Sequence, residues 1–165
     1  GASGLDFLHS MDDSCREEVR LFFDDRAAAK EKFRSEAADM HARLSRPESW
    51  LSLWGEAAGA DVAHSQEAAE YLASTFQDGW TRGDEGWWDD WSAFLSPWGF
   101  DLETIAAPVS LWHGLADKRC PPSHGRWIAA QIPRISAHFP EGDDHTNIEE
   151  NNRAAAYSWI LSQIR

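Results

Sequence analysis

Pro108-Val109-Ser110-Leu111-Trp112-His113-Gly114-Leu115-Ala116-Asp117 is the stretch on which the fold turns. It opens as a short apolar run bounded by Pro108 and Gly114, which reads as a buried strand. Downstream, Pro121 and Pro122 precede a segment from Ser123 to Gln131 with helix character, with Trp127, Ile128 and Ile132 expected to face inward. Pro133 ends it, and Arg134 to Phe139 alternates as a second strand would. From Asn147 to Ile164 the spacing predicts a last helix that buries Tyr157, Ile160, Leu161 and Ile164. Strand, helix, strand, helix at this spacing is a βαβα unit, and it implies a parallel sheet. Two strands alone do not make a stable layer, so the unit reads as the edge of a larger sheet. Such an edge would favour self-association or domain swapping.

Upstream of residue 100 the pattern is helical. Val19, Phe22, Phe23, Ala29, Phe33, Ala37, Met40 and Leu44 recur at helical spacing, as one long amphipathic helix would place them. Ser14 followed by Glu17 is a capping-box pattern at its start, and Pro47 stops it. Further helices are expected around Trp50, Leu51 and Trp54, from Ser65 to Gln77, and from Trp87 to Leu95, where Pro97 and Gly99 close the last one. The expected fold class is therefore α/β, predominantly helical by residue count. Residues 1–100 form a helical region and residues 101–165 carry the βαβα portion.

The net charge of −13 argues against a nucleic-acid partner or an anionic membrane surface. No apolar run approaches the ~20 residues that span a bilayer. No basic-then-apolar leader is visible, and two cysteines are too few for a disulfide framework, so a reducing cytoplasm is the expected setting. Ten tryptophans are a high count for 165 residues. They suit helix–helix packing, and the group Trp87, Trp88 and Trp91 also suits the lining of an apolar substrate pocket.

Two residues stand where chemistry is expected. Asp117 follows the first strand and His145 follows the second, and open parallel sheets place their ligands at that carboxyl edge. Alone, Asp117 reads as a turn or cap carboxylate and His145 as a residue ahead of a helix. Together they suit an acid that orients an imidazole and balances its charge. His113 reads as a packed residue or a support to the pair. Cys120, His124, His138 and His145 have no usual zinc spacing, and no metal or cofactor is expected.

The run Ile105-Ala106-Ala107-Pro108-Val109-Ser110-Leu111-Trp112-His113-Gly114-Leu115-Ala116-Asp117, followed by Glu141-Gly142-Asp143-Asp144-His145, resembles the α/β-hydrolase superfamily. There a strand and His-Gly-x-x-Asp turn carry the acid, and a later Gly-x-Gly-His turn carries the base. The resemblance is specific over residues 97–150, and the helical first part resembles the cap of such enzymes. It implies that Asp117 is the triad acid and His145 the catalytic histidine. One position departs, since Asp144 stands where glycine is usual. The turn is still expected to form, because aspartate tolerates the left-handed region, and the extra carboxylate would raise the His145 pKa.

Acid before histidine is the order of this fold, so the nucleophile belongs upstream. Gly1-Ala2-Ser3-Gly4-Leu5 lacks the strand and second glycine that a nucleophile elbow needs. The resemblance thus implies metal-independent hydrolysis of a small apolar ester or similar acyl substrate, with this chain inactive alone. Two alternatives stay open. An aspartate nucleophile would give dehalogenase or epoxide-hydrolase chemistry, and a non-catalytic helical interaction module would use the tryptophans to bind a partner.

Overall fold

The computed structural model describes residues 5–46, 48, 66–80 and 83–164. The helix expected around Trp50, Leu51 and Trp54 lies outside them. The chain divides into two compact units, Glu17–Ser96 and a second made of Gly1–Arg16 with Pro97–Arg165. The division falls just ahead of the boundary at 100 drawn from sequence, and it groups the N-terminal segment with the C-terminal unit.

The helical unit contains most of α1 (Asp13–Asp24), then α2 (Arg26–Leu44), α3 (Gln66–Gly79) and α4 (Glu85–Phe94). The single long helix expected from periodicity is two helices. Asp25 is extended at φ −148° and ψ 90°, and its carboxylate accepts the amides of Ala27 and Ala28 at 3.1 and 3.0 Å. A side chain that caps a new helix breaks the old one, while the apolar positions keep their helical spacing through the break. The cap of α1 also differs from the Ser14–Glu17 box. Asp12 accepts the Cys15 amide at 2.9 Å, and Ser14 and Glu17 lie inside the helix.

The core of this unit is aromatic. Phe22, Ala29, Phe33 and Trp88 form one buried cluster, with Leu21, Trp87, Trp91 and Leu95 packed on it. Leu44, Ala69, Ala73 and Trp80 form another, flanked by Met40 and Trp87. Phe33 meets Trp87, Trp88 and Trp91 edge-on at 5.1, 5.6 and 5.0 Å, the geometry that aromatic quadrupoles favour. Exposed Glu85 joins α4 to α2 through Lys30 at 2.7 Å and Arg34 at 3.0 Å.

In the C-terminal unit, β1 (Val109–Trp112) pairs in parallel with β2 (Ile135–His138), from Val109 opposite Ile135 to Trp112 opposite His138. Between them runs α5 (Pro122–Gln131), and after β2 comes α6 (Ile148–Gln163). The β-α-β-α order and the parallel pairing are those expected from sequence. Both strands are only partly buried, with Ala137 exposed, so the reading of β1 as a buried strand does not hold. Trp112 stacks on His138 at 4.0 Å between ring centres, and the two rings hydrogen-bond to Ser110 and Ser136 on their own strands.

The expected face of α6 is also wrong. Tyr157, Leu161 and Ile164 are 60, 59 and 76% exposed, and Ile160 is exposed as well. The less exposed stripe is Ile148, Asn152, Ala156 and Trp159. Asn152 fixes this rotation by donating to the carboxylate of buried Asp143 at 2.6 Å. A shallow groove of about 280 Å³ runs between Trp112 and this helix, lined by Ile148, Asn152, Ala156 and Tyr157 among others. Among the described residues no helix is long and apolar enough to cross a membrane.

Candidate functional site

Two loops leave the carboxyl ends of β1 and β2 and lie against each other. Three backbone bonds hold them: His113 N to His138 O at 3.0 Å, Leu115 N to Pro140 O at 3.1 Å, and Ala116 N to Asp143 O at 2.9 Å. Gly114 makes the approach possible. A β-carbon there would overlap the Asp143 carbonyl, and no small shift would relieve it because the obstacle is backbone. Gly142, at φ +83°, supplies the left-handed turn of the second loop.

This contact brings together the two residues singled out from sequence. Nδ1 of His145 lies 3.0 Å from Oδ2 of Asp117. Asp117 is 7% exposed, and its other oxygen accepts the amides of Arg119 and Cys120 at 2.9 and 2.8 Å. A buried carboxylate needs such partners. Burial pushes the Asp117 carboxyl up, but the His145 hydrogen bond and the Cys120 amide outweigh it and hold the group below its ordinary value. His145 moves the other way. Its hydrogen bonds with Asp117 and with Cys120 hold it protonated, raised from 6.5 to about 10.

Asp144 behaves differently from the expectation. It is not in the left-handed region, where Ser10 is the only non-glycine among the described residues. Its Oδ1 accepts the Thr146 amide at 2.8 Å, the Thr146 hydroxyl at 2.7 Å and the Asn147 amide at 3.2 Å. Those bonds hold the Asp144 carboxyl low and commit it to the turn. The high pKa of His145 comes first from Asp117. Asp143, whose role sequence reasoning missed, anchors the same loop by accepting from Asn151 at 2.8 Å and Asn152 at 2.6 Å. The adjacent pair Asn151-Asn152 was the available signal.

His113 packs under the pair, as expected. A carbonyl oxygen only accepts, so Nε2 of His113 donates to the Cys120 carbonyl at 2.7 Å, and it lies 3.9 Å from Asp117. Gly125 gives this ring its room, since a β-carbon there would collide with the imidazole.

Cys120 is the residue that sequence reasoning left unassigned. The two imidazoles of His124 and His145 are the leading influences on its thiol. His124 is buried, stacks on Phe7 at 4.4 Å and donates through Nε2 to the Phe7 carbonyl at 2.7 Å. Burial lowers the His124 pKa, but the Cys120 and Phe7 hydrogen bonds prevail and raise it. The two imidazoles in turn bring the Cys120 thiol down from 9.0 to about 7. The spacing could have suggested this, for Cys120 lies three residues past Asp117 and four before His124. Among the described residues, no three His, Cys, Asp or Glu side chains are arranged to hold a metal ion.

Trp87, Trp88 and Trp91 belong to the aromatic cluster of the helical unit. Trp88 is buried, and the other two are half-buried against Phe33. No protein-family model matches this chain, and searches of curated proteins and of solved structures returned no match.

Proposed function

We propose that this chain is the cap and C-terminal portion of an α/β-hydrolase that cleaves esters or similar acyl bonds. Asp117 is its acid, His145 its histidine, and the nucleophile lies in an upstream segment. The observation that carries the reading is the 3.0 Å bond between His145 Nδ1 and Asp117 Oδ2, made by loops leaving neighbouring parallel strands. An acid on Nδ1 fixes the tautomer that points Nε2 at a nucleophile, and it stabilises the imidazolium formed when the proton arrives.

The resting charge state adds a condition. A general base must be neutral, and His145 is held protonated by Asp117 and Cys120 together.

The test joins reading the upstream coding frame to an ester assay. A strand, a Gly-x-Ser-x-Gly turn and a helix in frame are expected. The polypeptide that includes them should hydrolyse p-nitrophenyl esters and lose at least ~100-fold on His145→Ala, the scale of a lost acid–base catalyst. The present chain alone should be inactive. An aspartate at the serine position would redirect the reading to haloalkane or epoxide substrates. A frame with no elbow, or hydrolysis by the isolated chain that His145→Ala abolishes, would overturn the assignment of an upstream nucleophile.

A further inference from the structure

We infer that Phe7 and His124 are positioning residues for the Asp117–His145 pair, joined in a clasp through which the N-terminal segment, residues 7–12, holds the acid-bearing loop, residues 118–124, in place. Both segments belong to the C-terminal unit. The inference concerns the geometry of the pair and does not rest on the hydrolase reading. A failed ester assay would leave it standing, and a failed clasp would leave that reading standing.

The loop is gripped at both ends. One residue past Asp117, the Lys118 carbonyl accepts the Asp12 amide at 2.8 Å. At the far end, Nε2 of His124 donates to the Phe7 carbonyl at 2.7 Å. The Phe7 ring also stacks on the imidazole, with 4.4 Å between centres and 10° between planes. Phe7 meets His124 and Asp12 meets Lys118, so the segment crosses the loop in the opposite sense. His124 is buried in the first turn of α5, which lies against both strands. A buried ring nitrogen needs a partner, and this one finds it in the N-terminal segment.

The segment carries a mark of being held. His9 N bonds to Asp6 O at 3.2 Å and Met11 N to Leu8 O at 3.4 Å, two successive turns. Between them Ser10 takes left-handed backbone at φ 65°, alone among the described non-glycine residues. A side chain with a β-carbon keeps that conformation where its surroundings fix it. Here they are the Phe7 contacts on one side and buried Met11 with the Asp12 amide bond on the other.

Between the two anchors, the Arg119 and Cys120 amides donate to Oδ1 of Asp117 at 2.9 and 2.8 Å, which leaves Oδ2 to His145 Nδ1 at 3.0 Å. A loop that shifts carries both amides with it and turns the carboxylate away from the imidazole. The clasp prevents that shift, as a supporting shell does for any paired site.

The experiment follows the full chain by NMR in two readouts, amide hydrogen exchange at Arg119 and Cys120 and the titration of the His145 imidazole. Phe7→Ala removes the ring and keeps the carbonyl. It should speed exchange of both amides at least ~10-fold and lower the His145 midpoint by about one pH unit. Phe7→Tyr keeps the flat ring and should restore both readouts. Phe7→Leu should show the same changes at smaller size, and it stands in for alanine if alanine unfolds the unit. His124→Gln keeps a donor for the Phe7 carbonyl, loses the stack and should match Phe7→Leu. Phe100→Ala removes an exposed ring of the same unit outside the clasp and should move neither readout. Either readout unchanged in Phe7→Ala, an effect that Phe7→Tyr does not restore, or one that Phe100→Ala reproduces would overturn the inference.

Discussion

The two units are held together by different physics. In the helical unit the described buried residues are apolar: Val19, Phe22, Ala29, Phe33, Ala37, Leu44, Ala69, Ala73, Trp80 and Trp88. In the C-terminal unit the described buried polar and charged residues are Asp117, His124 and Asp143, beside Met11, Pro121 and Ile132 as buried apolar ones. One unit is chiefly a packing problem, intolerant of lost volume, with its ion pairs such as Glu85 with Lys30 and Arg34 on the exposed surface. The other is a hydrogen-bond network around charges, sensitive to protons and to the close approach of two loops. Mutations should therefore act on them through different mechanisms, and the following experiments test that division.

Phe33→Ala should have the largest effect. The ring is 3% exposed, and three tryptophans meet its edge. Removing it leaves a cavity, at a cost of about 3–5 kcal/mol. Urea denaturation followed by tryptophan fluorescence measures it. The C-terminal network should be spared, so the His145 imidazole should keep its raised titration by NMR. A loss below about 1 kcal/mol would show that the aromatic cluster collapses onto the vacancy and that packing is not what holds this unit.

Gly114→Ala attacks the other unit. A methyl group at this position meets the Asp143 carbonyl, so the loops must separate or the backbone must deform, at about 1–3 kcal/mol. Separation breaks the 3.0 Å bond between His145 and Asp117. The His145 titration should then fall toward its ordinary 6.5. Gly125→Ala is the companion, pressing on His113 from α5 instead. An unchanged His145 titration in Gly114→Ala would break the claim that glycine lets the site form.

The sequence carried more of the strand-and-loop geometry than of the helical packing. The order β1, α5, β2 and α6, and the bond between Asp117 and His145, followed from two apolar runs, their bounding prolines and glycines, and a recognisable turn. Features set by one side chain's local choice were missed. Asp25 broke a helix whose apolar period runs on through it, and Asp143 turned α6 through Asn151 and Asn152. The largest apolar side chains of α6 therefore pointed to the wrong face. The influence of His145 on Cys120 was overlooked because the two lie far apart in sequence, and only the docking of the two loops brings their segments together.

Cys120→Ser gives the smallest effect and the finest test of the comparison. His145 has a folded pKa raised from 6.5 to about 10, so its stabilisation is complete below 6.5 and is lost as pH rises through 10. Cys120 has a folded pKa lowered from 9.0 to about 7, so its stabilisation is complete above 9.0 and is lost as pH falls through 7. Between pH 7 and 9 the two slopes oppose each other, so the C-terminal unit should keep nearly constant stability there and weaken chiefly above pH 9. Serine removes the thiolate and leaves Asp117 as the leading partner of His145. The alkaline decline should then begin nearer neutrality, while the helical unit stays level in both proteins. Thermal melts from pH 6 to 10, read separately by tryptophan fluorescence and by the NMR signals of the C-terminal unit, follow both limbs. A wild-type decline that already starts at neutrality would mean that the thiol does not share the charge of His145, and that the network ends at the Asp117–His145 pair.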